Sequence, residues 1–152
     1  MREGGDRFMR RNHNHDPGKE FPLREQIEDF SGKVRSFVIT CHEGGLGFTL
    51  RAKEEGVEDG YEFGAYTETS PYSALGRLRD KMAHALATRH LAGAPGEYHM
   101  THDMLRGRIA SDGEQGVVLV VDGRPLDLDD FAAILTSHEG WGFELHIVDP
   151  LE

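Results

Sequence analysis

Apolar and polar residues alternate along three successive stretches of the chain. Residues 35–42 are rich in β-branched and aromatic side chains. Residues 46–53 set Phe48, Leu50 and Ala52 against Thr49, Arg51 and Lys53. Residues 60–67 set Tyr61, Phe63 and Ala65 against Glu62, Gly64 and Tyr66. A period of two is the pattern of half-buried strands. Glu43-Gly44-Gly45 and residues 54–59 have the composition of turns, so the pattern predicts an antiparallel meander.

The period then changes to that of a helix. Ser70 can cap it and Pro71 suits its first position, where a missing N–H costs nothing. Leu75, Leu78, Met82, Ala85 and Leu86 recur on one face, Arg89 and His90 fall in the expected last turn, and Gly93 is the expected stop. Residues 94–104 read as an irregular connection. Residues 105–111 and 116–122 predict a hairpin around Asp112-Gly113-Glu114-Gln115, and Val117-Val118-Leu119-Val120-Val121 is apolar on both faces, as in a central strand. Asp122-Gly123 predicts a tight turn. Asp127 is placed to cap a second helix over 128–138, with Leu128, Phe131, Ile134 and Leu135 expected to face the core, and 143–148 reads as a last strand. The order βββ-α-ββ-α-β predicts an α+β fold, a mainly antiparallel sheet of about six strands with two helices packed on it.

Residues 1–33 read differently, as a flexible tail with few apolar anchors. Phe21, Leu23, Ile27 and Phe30 allow a short amphipathic turn of helix at its end. Residues 34–149 are expected to form a single domain. Residues 150–152 form the C-terminal end, where Leu151-Glu152 resembles a cloning scar and is set apart from the fold.

Charge narrows the function classes. The chain of 152 residues has a formal net charge of −10, and residues 1–33 are balanced, so the excess lies in the body. Such a domain repels a phosphate backbone at long range, which argues against nucleic acid as a partner. The one cysteine, Cys41, excludes an intrachain disulfide and suits a reducing cytoplasm. No apolar run is long enough to span a membrane.

The most conspicuous motif is a phrase used twice, His42-Glu43-Gly44-Gly45-Leu46-Gly47-Phe48 and His138-Glu139-Gly140-Trp141-Gly142-Phe143. A zinc-binding His-Glu-x-x-His helix needs a second histidine, but position 46 is Leu and position 142 is Gly. The glycines also oppose a continuous helix. The phrase therefore reads as a turn launching a strand, a hairpin in the first copy and a helix cap in the second, with Phe48 and Phe143 expected in one core. Among the nine histidines, His99 and His102 with Asp103 have the spacing of a metal cluster. They define an alternative reading as a metal-assisted hydrolase. Asp127, Asp129 and Asp130 fit helix capping instead.

Several segments together resemble a family of uncharacterised bacterial domains: Val120-Val121-Asp122-Gly123-Arg124, Asp130-Phe131-Ala132, Glu139-Gly140-Trp141-Gly142-Phe143-Glu144-Leu145, residues 54–63, and Arg106-Gly107-Arg108-Ile109. Some relatives in that family carry a cysteine-rich zinc-binding segment ahead of this domain; this chain, with Cys41 alone, lacks such a set of cysteines, and that metal function is not carried over. The resemblance implies a bacterial, intracellular setting and brings no activity with it. The expectation from the residues is a non-catalytic binding or accessory module rather than an enzyme, with no cofactor. Its binding residues are expected along a sheet rim, at Tyr61, Arg106, Arg108, Glu139 and Trp141. Its partner is expected to be another protein or a second copy of the chain through a sheet edge.

Overall fold

The computed structural model describes residues 20–114 and 116–152; the first nineteen residues of the expected tail, and Gln115 of the expected hairpin turn, lie outside the described residues. The fold is α+β. Strands β1 (Leu23–Glu28), β2 (Val34–Gly44), β3 (Gly47–Glu54) and β4 (Glu62–Thr67) form an antiparallel sheet in chain order. The β2–β3 connection is a two-residue turn, Gly45-Leu46, with Gly44 opposite Gly47 and Gly45 at φ +60°. The first copy of the repeated phrase is therefore a hairpin, as its glycines predict.

Helix α1 (Pro71–Leu86) crosses this sheet. Ser70 Oγ accepts the Tyr72 amide, and Ala74, Leu75, Leu78, Met82 and Leu86 are buried against Phe37, Ile39, Leu50, Ala52 and Ala65. Each large side chain among these contributes about 1.5–3 kcal/mol by leaving water. The helix stops a turn earlier than its periodicity predicts, because the amides of His90 and Leu91 are bound by Asp122 instead of continuing the helix.

A two-residue ribbon follows: β5 (Leu91–Ala92) takes the end of the expected helix, and its partner β6 (His99–Met100) lies in the stretch expected to be irregular. A three-stranded antiparallel sheet follows, β7 (Arg108–Ser111), β8 (Val117–Val121) and β9 (Arg124–Asp127), and then α2 (Leu128–Thr136), capped by Asp127. Asp122 and Gly123, both with positive φ, make the two-residue turn between β8 and β9. Strand β9 carries Pro125, which an edge strand tolerates because its N–H need not pair. Leu91, Val121, Leu126 and Ile134 form a second, smaller core.

Three expectations are corrected. The stretch expected to form a helical turn is strand β1: Leu23 and Ile27 stand four apart, which fits either period. Glu25 between them decides it, turned inward on the same face and bound by Arg79 of α1. The expected last strand has no partner; residues 141–149 belong to no described helix or strand, and Phe143 is 86% exposed rather than in the core. In α2 only Ile134 is buried, while Leu128 and Leu135 stay about half exposed.

Candidate functional site

The inner face of the first sheet ends in charge. Arg35 shares its side of β2 with Phe37 and Ile39, and Glu54 shares its side of β3 with Leu50 and Ala52, so strand parity turns both inward at one end of the sheet. Arg35 Nη1 donates to Glu54 Oε2 at 3.0 Å and Arg35 Nε to Asp29 Oδ2 at 2.9 Å. Asp29 also organises the β1–β2 turn: its Oδ1 accepts from the Ser31 amide, the Ser31 hydroxyl and the Lys33 amide. Burial on its own would raise the Asp29 pKa, but the bonds from Ser31, Arg35 and Lys33 outweigh it and hold the group at about 2. Burial likewise works against the Arg35 charge, and Glu54 and Asp29 more than compensate, so the guanidinium is held in its charged form.

Tyr61 closes this cluster. Its amide donates to Glu54 Oε1, its ring stacks on Phe63 with centroids 5.8 Å apart, and Arg35 lies over the ring at 5.3 Å. Burial first, and the nearby Asp122 carboxylate second, push the phenol well above its ordinary range. Its hydroxyl and Arg108 Nε are buried without a hydrogen-bond partner among the described residues. Arg108 reaches across from β7, donating Nη2 to the Gly60 carbonyl at 2.9 Å, beside Glu62. The two sheets are joined here.

A second buried group lies close by. The Asp122 carboxylate accepts the amides of His90 and Leu91, each at 2.8 Å, and faces His90 Nδ1 at 3.0 Å. The His90 ring packs against the His102 ring, 5.3 Å away. Because the carboxylate is engaged by two main-chain amides, this pair works as a latch between the chain leaving α1 and the β8–β9 turn. Gly123 completes the contact: a Cβ there would stand 2.7 Å from the Tyr61 ring.

Of the expected rim residues, Tyr61 and Arg108 meet at this junction, Tyr61 buried and Arg108 half-buried. Arg106 is exposed and points Nε toward Met104 Sδ. Glu139 and Trp141 lie beyond α2 in the turn closed by the Trp141 amide on the His138 carbonyl, with the Trp141 ring edge-on to His138. His99, His102 and Asp103 are exposed, and no three His, Cys, Asp or Glu among the described residues are grouped to hold a metal ion. Asp29, Arg35 and His90 belong to no site motif that the sequence displays, and Glu54 and Asp122 stand out there only as turn residues and in the segments that carry the resemblance. The available signal is the inward parity of Arg35 and Glu54 on otherwise apolar strand faces.

The division into two cores is paralleled by two separate family matches. Residues 19–87 match the family model of a domain of unknown function, DUF7686, and residues 90–152 match that of another, DUF7713. Each model covers less than half of the chain, and neither carries an activity. No curated protein and no solved structure matches the chain. The boundary between the two matches falls between the cap of α1 at Ala87 and the Asp122 latch at His90.

The DUF7713 match runs through Glu152, and the chain's end is packed, not set apart. Leu151 lies against Gly64 of β4, where a Cβ would approach it to 2.7 Å, and Lys81 Nζ donates to the carbonyls of Gly64 and Pro150. Between this anchor and α2 runs an arm, residues 141–148, that belongs to no described helix or strand. Trp141, Phe143, Leu145, Ile147 and Val148 on it are each at least 73% exposed. No helix among the described residues is long and apolar enough to cross a membrane, so these side chains do not belong to a spanning helix.

Proposed function

We propose that this chain is a non-catalytic binding or accessory module of a bacterial cytoplasm that engages a protein partner through the arm at 139–148. The arm carries the reading: five large apolar side chains in eight residues stand in solvent on a chain that is otherwise strongly acidic. A contiguous apolar surface of this kind marks an interaction site. The buried charges support the same reading, since Asp29, Glu54 and Asp122 are each consumed by main-chain amides or by Arg35 and hold the fold together. The acidity supports a partner other than nucleic acid, and the unpaired Cys41 supports a reducing compartment.

The test compares the full chain with its Phe143→Asp/Ile147→Asp variant as baits in crosslinked capture. Partners, or further copies of the chain, are expected with the unaltered arm and lost with the variant. Equal capture by both would remove the arm from the function. Metal-dependent hydrolysis of phosphate or carboxyl esters, abolished by His99→Ala and His102→Ala, would replace the reading with the hydrolase.

A further inference from the structure

The arm alternates in a way that a mere linker does not require. By a period of two, Trp141, Phe143, Leu145 and Ile147 fall on one side of the arm, and Gly142, Glu144 and His146 on the other, with Val148 the one apolar residue of that second side. This is the pattern of a strand half-buried against a sheet. Both its ends are held, at His138 by the Trp141 amide and at Gly64 through Leu151, so the bare span is not a fraying terminus.

The same chain presents a surface with the matching deficit. Among the described residues, strand β7 is an edge of its sheet with no strand beside it. On β7, Ile109 stands opposite Leu119, which stands opposite the fully buried Leu126, so Ile109 lies on the face that α2 covers. The cover stops short of it. Ile109 is 60% exposed, Val117 on the same face 44%, and Leu135 of α2 52%. A strand laid along β7 would pair the open edge and place its apolar side over this strip.

We propose, resting on the reading of the arm as a binding element, that residues 141–148 of one chain add to the β7 edge of a second copy, and reciprocally. The area decides for a second copy. The four alternating side chains of the arm, each about three-quarters exposed or more, offer on the order of 600 Å² per chain at the usual size of aromatic and aliphatic side chains. Two arms therefore supply about 1,200 Å², before the receiving strips are counted, which reaches the range of specific stable interfaces. A twofold exchange also closes on itself, leaving neither an arm nor a β7 edge open in either chain. Each copy carries the same net charge of −10, so the pair forms against long-range repulsion and tightens as salt rises.

Sedimentation and light scattering of the full chain over a wide concentration range test this. Twice the chain mass is expected, with tighter association at higher salt. Phe143→Asp/Ile147→Asp is expected to run as a folded monomer with unchanged circular dichroism, because neither side chain packs in the core, and with a thermal midpoint that no longer rises with protein concentration. In a Cys41→Ser background, a Leu145→Cys chain mixed with an Ile109→Cys chain is expected to be joined by a short bismaleimide. A dimer indifferent to the arm variant overturns the proposal. So does bridging between positions 145 and 109 only when both substitutions lie on one chain, which would dock the arm on its own sheet. A strict monomer whose arm still captures another protein sinks the second copy as occupant and leaves the binding reading standing. A monomer with arm-independent capture sinks both.

Discussion

Replacing Asp29 with asparagine removes the charge that ties the β1–β2 turn to Arg35 while keeping the shape of the side chain. In the folded chain four donors from Ser31, Lys33 and Arg35 hold this carboxyl at about 2, against an ordinary value of 3.8. A difference of that size corresponds to about 2 kcal/mol of folding free energy. Since the folded value is the lower one, the contribution is complete above the unfolded value. It falls away as pH drops from about 4 toward 2, where the folded carboxyl takes up its proton. Urea unfolding of the parent and of Asp29→Asn, followed by circular dichroism at a series of pH values, isolates this group. The parent is expected to be more stable by about 2 kcal/mol at neutral pH, with the gap narrowing below pH 4 as the parent's carboxylate is neutralised. A gap independent of pH from neutrality to the acid limit would refute the assignment. It would mean that asparagine acts through packing and that the carboxylate is not preferentially stabilised in the fold.

The other predictions concern the junction and the core. Asp122→Ala leaves the buried amides of His90 and Leu91 without an acceptor and is expected to cost about 3 kcal/mol in urea unfolding. Asp122→Asn should recover part of this, and a loss indistinguishable from zero would dismiss the latch. Gly123→Ala adds a Cβ at positive φ against the Tyr61 ring and is expected to lower stability by about 2–3 kcal/mol. Gly113→Ala, also at positive φ but with nothing within 4 Å, should cost only about 1 kcal/mol; equal losses at the two positions would exclude the Tyr61 contact as the cause. Phe37→Ala empties the centre of the first core and is expected to cost about 3–5 kcal/mol by thermal or urea unfolding. Ile109→Ser should leave the stability of the single chain nearly unchanged while weakening self-association in sedimentation, since this side chain is exposed until a partner strand covers it.

Local signals are legible wherever the residues act on their neighbours in sequence. The Gly45 turn, the Ser70 and Asp127 caps, the Asp122-Gly123 turn and the apolar faces of β3 and α1 all follow from backbone propensities and short periods. Strand β1 is ambiguous in sequence because its two aliphatic residues sit four apart. Only the inward Glu25 separates the periods, and its partner Arg79 is distant in sequence. The junction is half legible. Tyr61 and Arg108 stand out as surface candidates, whereas Arg35 and Glu54 look like ordinary solvent-facing charges until strand register turns them inward together.

Strands β2 to β4, the β7–β8 hairpin, the two helices among the described residues and the alternation of residues 141–147 are therefore written in the sequence, because hydrophobic period and turn chemistry are local properties. The tertiary structure alone decided that the arm has no strand beside it within the described chain. It also decided that Asp122 takes the amides of His90 and Leu91 beyond the end of α1, and that two small cores meet at a buried charge cluster. Those outcomes depend on which distant surfaces come together, and no single stretch of residues encodes that pairing.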